Sequence, residues 1–98
     1  VTETGPQSVG EAVRDVVVLN RFGMHARPAA LLVKMASRFR ANVELVKDGV
    51  AVSAKSIMGV LTLGCEHGAQ VRVRARGEDA AEAVAAVAEL FDLKFHEE

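Results

Sequence analysis

His25 lies in the segment Gly23-Met24-His25-Ala26-Arg27-Pro28, two residues before an arginine and three before a proline. A neutral imidazole is a nucleophile, and much of an ordinary histidine is neutral at cell pH. The arginine guanidinium is a planar fork of donors that matches phosphate oxygens. Proline suits the first turn of a helix, where a missing N–H is no loss. The spacing therefore predicts His25 at or just before a helix N-terminus. Unpaired backbone N–H groups and the helix dipole make such an end an anion site. A phosphoryl group carried on the ring would be steadied by the same groups, because its transfer needs mainly positioning and charge stabilisation. A capping or solvent-exposed histidine satisfies the same short pattern, so these residues alone define an anion site with a histidine in it.

A second candidate lies about thirty residues on, in Ala54-Lys55-Ser56-Ile57-Met58-Gly59-Val60. Ser56 is placed to cap a short helix, which is the ordinary use of serine there. A phosphate on it would add a charge of about −1.5 to −2 at a helix N-terminus. Met58 and Leu61 stand three apart on this helix, a spacing that serves a core or an exposed apolar patch. Met24 and Phe22 flank His25. His67 and His96 read as solvent-exposed. Cys65 is the only cysteine, so there is neither a disulfide framework nor a cysteine zinc site, and no metal or cofactor is expected.

The elements that must hold these residues follow from periodicity. Residues 12–19, rich in valine, read as a strand and 20–23 as a loop. Over 26–40, Ala29, Leu32, Val33, Ala36 and Phe39 recur at helical spacing opposite Lys34, Ser37 and Arg38. Short strands at 42–46 and 50–53 flank Lys47-Asp48-Gly49, a hairpin signal because Asp-Gly tolerates positive φ. Residues 56–63 read as a helix ending before Gly64. Residues 70–76 alternate Val71, Val73 and Ala75 with Gln70, Arg72, Arg74 and Arg76, a strand with one wet face. Residues 79–91 form a last helix with the stripe Ala80, Ala83, Val84, Val87, Leu90 and Phe91. The order β-α-β-β-α-β-α predicts an α+β fold of two layers, helices on one side of a four-stranded sheet. Residues 1–11, with Gly5, Pro6, Ser8 and Gly10, read as a flexible extension to a single domain at 12–98.

Composition narrows the function. The chain has 98 residues, half of them apolar, four aromatics that are all Phe, and a formal net charge of −1. That balance argues against a general nucleic-acid binder, although Arg72, Arg74 and Arg76 form a local basic row. An RNA-binding sheet would need exposed aromatics, and these strands have none. No apolar run approaches the roughly 20 residues that span a membrane. The first ten residues lack the basic and apolar regions of a secretory signal, so a cytoplasmic location without membrane insertion is the expectation.

The two motifs, together with this element order, resemble the HPr family, the histidine phosphocarriers of the bacterial phosphotransferase system. The resemblance covers roughly residues 13–91. It implies an open-faced sandwich with an antiparallel sheet in the order 1-4-2-3 and three helices on one face. It implies that His25 takes phosphate on Nδ1 from enzyme I, charged by phosphoenolpyruvate, and passes it to a histidine of an enzyme IIA domain. Arg27 would steady the phosphate, and Met24, Met58 and Leu61 would dock the partners. Ser56 matches the serine phosphorylated by HPr kinase/phosphorylase. The chain would then be a monomeric carrier with a covalent intermediate rather than a turnover enzyme. Phe22 departs from the family, where a small polar residue is common, as does the extension. Two further readings stand beside this one. The nitrogen-related branch, NPr, feeds a regulatory enzyme IIA, and the segment from Ala83 to Phe95 resembles it. A binding module acting only through phosphorylated Ser56 would need no His25, which is present here.

Overall fold

A computed structural model describes residues 10–97, so residues 1–9 of the expected extension lie outside the described residues. Four strands, β1 (Glu11–Val17), β2 (Asn42–Lys47), β3 (Val50–Ser53) and β4 (Gln70–Arg76), alternate with α1 (Ala26–Ala36), α2 (Ile57–Leu63) and α3 (Ala80–Asp92). All pairings are antiparallel, in the order β1-β4-β2-β3. The alternation of β4 is fully expressed: Val71, Val73 and Ala75 are buried, while Gln70, Arg72, Arg74 and Arg76 are exposed. The arginines of the open face are met across the strands. Arg72 donates to Asp15 at 2.8 Å and Arg74 to Glu44 at 2.6 Å. Both pairs are exposed and screened by water and salt, so they add little to stability.

The other face packs against the helices. The α3 stripe is wholly buried, as its 3.6-residue spacing predicts, and Leu32, Val60 and Leu45 join it in the core. The β2–β3 hairpin turns through Asp48 and Gly49, at φ 51° and 80°, the two left-handed positions that an Asp-Gly turn supplies.

Helix α1 stops at Ala36, four residues before the predicted end. The N–H groups of Arg38 and Phe39 bond back only three residues, to Met35 and Ala36, which tightens the chain into a turn. Partners from elsewhere then take over. Lys55 Nζ donates to the Phe39 carbonyl at 2.8 Å, and the Asp79 carboxylate accepts from the N–H groups of Arg40 and Ala41 at 3.0 and 2.9 Å. Phe39 stays packed on the core from this turn, which is why its spacing mimics a longer helix.

The N–H of Arg40, and after it that of Ala41, holds the Asp79 carboxyl below the usual carboxylate range. A depressed folded value makes the sign definite. The stabilisation is complete above about pH 4, where the unfolded group is ionised, and is lost as pH falls through the lower folded value. Stability of Asp79→Asn should therefore fall less steeply than wild type below pH 4. Urea titrations across pH 2–6 would check this, and parallel curves would remove Asp79 from the acid sensitivity.

Beyond α3 the chain makes a short left-handed turn that periodicity did not reveal. Lys94, Phe95 and His96 have φ of 56°, 53° and 62°. Such backbone costs a non-glycine residue roughly 1–2 kcal/mol. Phe95 offsets it by full burial, its ring edge-on to Phe91 at 4.9 Å.

Candidate active site

The loop before α1 is shaped by Gly23. Its φ is +70°, and a Cβ there would stand 2.8 Å from the Cys65 carbonyl oxygen, so both backbone and space demand glycine. That close approach lets the Met24 N–H donate to the same carbonyl at 2.8 Å. The end of α2 and the start of α1 are thereby tied together.

His25 is the N-cap residue of α1, yet its side chain caps nothing. Pro28 has no N–H, and the Ala29 N–H donates to the His25 carbonyl at 3.0 Å. The open donors of the first turn are thus the N–H groups of Ala26 and Arg27, which have no partner among the described residues. The Arg27 side chain is exposed and makes no ion pair among the described residues. The helix end anticipated from spacing is therefore open, with a histidine beside it.

The imidazole is 41% exposed, and its Nε2 lies 2.9 Å from Oε2 of Glu97. The other oxygen of Glu97 accepts from Asn20 Nδ2 at 3.0 Å, and that amide also donates to the Gly23 carbonyl at 2.6 Å. Asn20 is completely buried, and its Oδ1 has no partner among the described residues. Neither Asn20 nor Glu97 was singled out from the sequence. Asn20 reads as an ordinary loop residue, and Glu97 is separated from His25 by 72 positions, so no spacing signal could join them.

Phe22 is 75% exposed, with its ring edge-on to His25 at 6.4 Å between centroids. With Arg21 and His67 it borders a shallow hollow that runs from His25 to the turn after α2. His67 and His96 are exposed, as expected. Cys65, at the floor of this hollow, is buried, and burial pushes its thiol above the ordinary range.

The expected docking residues separate. Met58 is 66% exposed and lies beside Ile57, which is also exposed. Leu61 is half-buried against the core. Met24 is only 7% exposed. Its backbone N–H bonds to Cys65, and its side chain lies among the residues that line the hollow beside His25. Ser56 caps α2, with its Oγ accepting from the Gly59 N–H at 3.1 Å, and is exposed. It stands at the end of α2 away from His25, because the Gly64 end borders the hollow. At 1.5 Å per residue the helix separates the two ends by roughly 10 Å.

Among the described residues no helix is long and apolar enough to cross a membrane, and no cluster of His, Cys, Asp and Glu is arranged to hold a metal. Comparison with known proteins adds the family. Residues 12–92 match the family described as "PTS HPr component phosphorylation site". The phosphocarrier protein HPr of Treponema pallidum is 48% identical over 86 residues, which cover 88% of this chain and 98% of that protein. The crystal structure of HPr-C-His from Thermoanaerobacter tengcongensis superposes with a TM-score of 0.86 at 42% identity, covering 89% of this chain and 98% of that one. An HPr dimer from the same organism gives a TM-score of 0.70 at 46% identity, over 74% and 84% of the two chains. A matching sheet order, an open helix end with its histidine and this extent of identity lead to one conclusion: the chain belongs to the HPr family of phosphocarriers of the phosphotransferase system.

Proposed function

We propose that His25 accepts a phosphoryl group on Nδ1 from phosphorylated enzyme I and passes it to a histidine of an enzyme IIA domain, within the cytoplasm. The observation that carries this reading is a half-exposed histidine at the uncapped N-terminus of α1, where two backbone N–H groups and Arg27 are free to hold phosphate oxygens. Ile57 and Met58 at the start of α2, and Phe22 beside His25, are exposed apolar side chains suited to partner docking. The carrier acts as a monomer. Incubation with phosphoenolpyruvate and enzyme I should add one phosphate that is lost in acid. An acid-stable adduct or no adduct with a competent enzyme I would overturn the reading.

Ser56 is the regulatory site in this proposal, phosphorylated from ATP by HPr kinase/phosphorylase. Its hydroxyl is exposed while it caps α2. A helix length of about 10 Å is close to the screening length at 0.1 M salt. A phosphate there would consequently act on partner docking beside Ile57 and Met58 more than on the His25 phosphate itself. Ser56→Asp should slow phosphorylation of His25 by enzyme I about tenfold, expressed mainly in the concentration needed for half-maximal rate. An unchanged rate at low concentration would show that the two sites are uncoupled.

A further inference from the structure

We infer that Glu97, held by Asn20, is a positioning residue that sets which nitrogen of His25 carries the proton. This rests on the carrier reading for its consequence but not for its geometry. A carboxylate only accepts hydrogen bonds, so the 2.9 Å contact to Oε2 requires Nε2 to donate. A neutral ring with its proton on Nε2 has its lone pair on Nδ1, which has no hydrogen-bond partner among the described residues.

The polarity of the chain of bonds is set from the backbone outward. The Gly23 carbonyl can only accept, so Asn20 must turn its amide nitrogen toward it. The second hydrogen of that nitrogen then faces Glu97 Oε1. Asn20 is 0% exposed, and a turned-over amide would set its Oδ1 against two acceptors, the Gly23 carbonyl and Glu97 Oε1. Glu97 is itself brought here by the left-handed turn at Lys94, Phe95 and His96, and its side chain is only 18% exposed. Three consecutive strained residues persist only where the surroundings hold them, and such strain concentrates at functional sites.

The consequence for transfer balances without a proton movement. The Nδ1 lone pair attacks phosphorus of a phosphohistidine donor, and an N–P bond forms at His25. The donor's N–P bond breaks, and its electron pair returns to the donor ring. Nε2 keeps its proton throughout. The His25 ring gains the positive charge that the donor ring gives up, and the Glu97 carboxylate lies against it.

This predicts an unusual order among variants of the full chain. In Glu97→Gln the side-chain oxygen stays with the Asn20 NH₂ that faces it, and the new NH₂ faces Nε2. That reverses the bond, makes Nε2 the acceptor and protonates Nδ1. In Glu97→Ala the ring is left without direction. ¹⁵N chemical shifts of His25 at neutral pH should show the Nε2–H form in wild type, a mixture in Glu97→Ala and mainly Nδ1–H in Glu97→Gln. Phosphorylation by enzyme I should fall about tenfold in Glu97→Gln and less in Glu97→Ala, while thermal stability of the two variants agrees. A wild-type ring protonated on Nδ1, or a tautomer ratio unmoved by both substitutions, would overturn the inference. A wild-type chain with the Nε2–H signature that takes no phosphate would instead overturn the carrier reading and leave the positioning role standing.

Discussion

Replacing His25 with alanine is expected to abolish the acid-labile phosphate while leaving the fold intact. The two halves of this expectation have separate causes. Loss of the proposed nucleophile at the helix end would remove the covalent step, a fall on the order of a thousandfold or more, as when a catalytic nucleophile or base is deleted elsewhere. The ring itself holds up little of the structure. It caps no helix, is 41% exposed and, among the described residues, makes one hydrogen bond, to Glu97. A part-exposed pair of this kind contributes about 1 kcal/mol or less. The melting temperature should therefore shift by only a few degrees. Radiolabel from phosphoenolpyruvate, followed through acid and base treatment and read beside a melting curve, separates the outcomes. Label that survives the substitution would place the phosphate on another residue and sink the carrier reading at this site.

The second large effect concerns the core. Phe91→Ala should destabilise the domain by about 3–5 kcal/mol, the usual range for a buried phenylalanine. Phe91 is fully buried on α3, and Phe95 packs edge-on against it. Helix α3 packs on β1, β4 and α1 at once, which limits how far it can move in to fill the space. Small domains have only about 5–15 kcal/mol in total, and at about 4–8 °C per kcal/mol the loss lowers the melting temperature by roughly 12–40 °C. Phe95→Ala makes an informative contrast. Its ring is as well buried, but it sits on a turn with three left-handed residues. Once the ring is gone the turn can release and relax that strain, so the loss should be smaller, about 1–3 kcal/mol. Urea unfolding of both variants would check the order. Equal losses would mean that the tail is fixed as firmly as the helix.

Much of this arrangement can be traced in local sequence. The 3.6-residue stripe of α3, the two-residue alternation of β4 and the Asp48-Gly49 turn each appear where their residues predict. These patterns are legible because each records which side of one element meets water, and that is a local property. The strand order was implied only by the family resemblance. Alternation marks a wet face but does not say which strand donates to which. That β1 pairs with β4 is a matter of distant hydrogen bonds. The end of α1 was misplaced for a related reason. Phe39 keeps the apolar spacing of a helix, while Lys55 and Asp79 take the backbone groups that a helix would have used.

For the site, local sequence sets the chemistry available: an imidazole, an arginine and a proline placed to open a helix at His25. A helix end attracts anions whatever packs around it, because its free N–H groups belong to its own first turn. Tertiary structure alone decided how the imidazole is held. It drew Met24 inward, set Ser56 a helix length from the hollow, and carried Glu97 back across the chain to Nε2 through the burial of Phe95 and the single orientation open to Asn20. Such contacts join side chains far apart in sequence. They are settled by packing and by the need of buried polar groups for partners, and no local spacing records either.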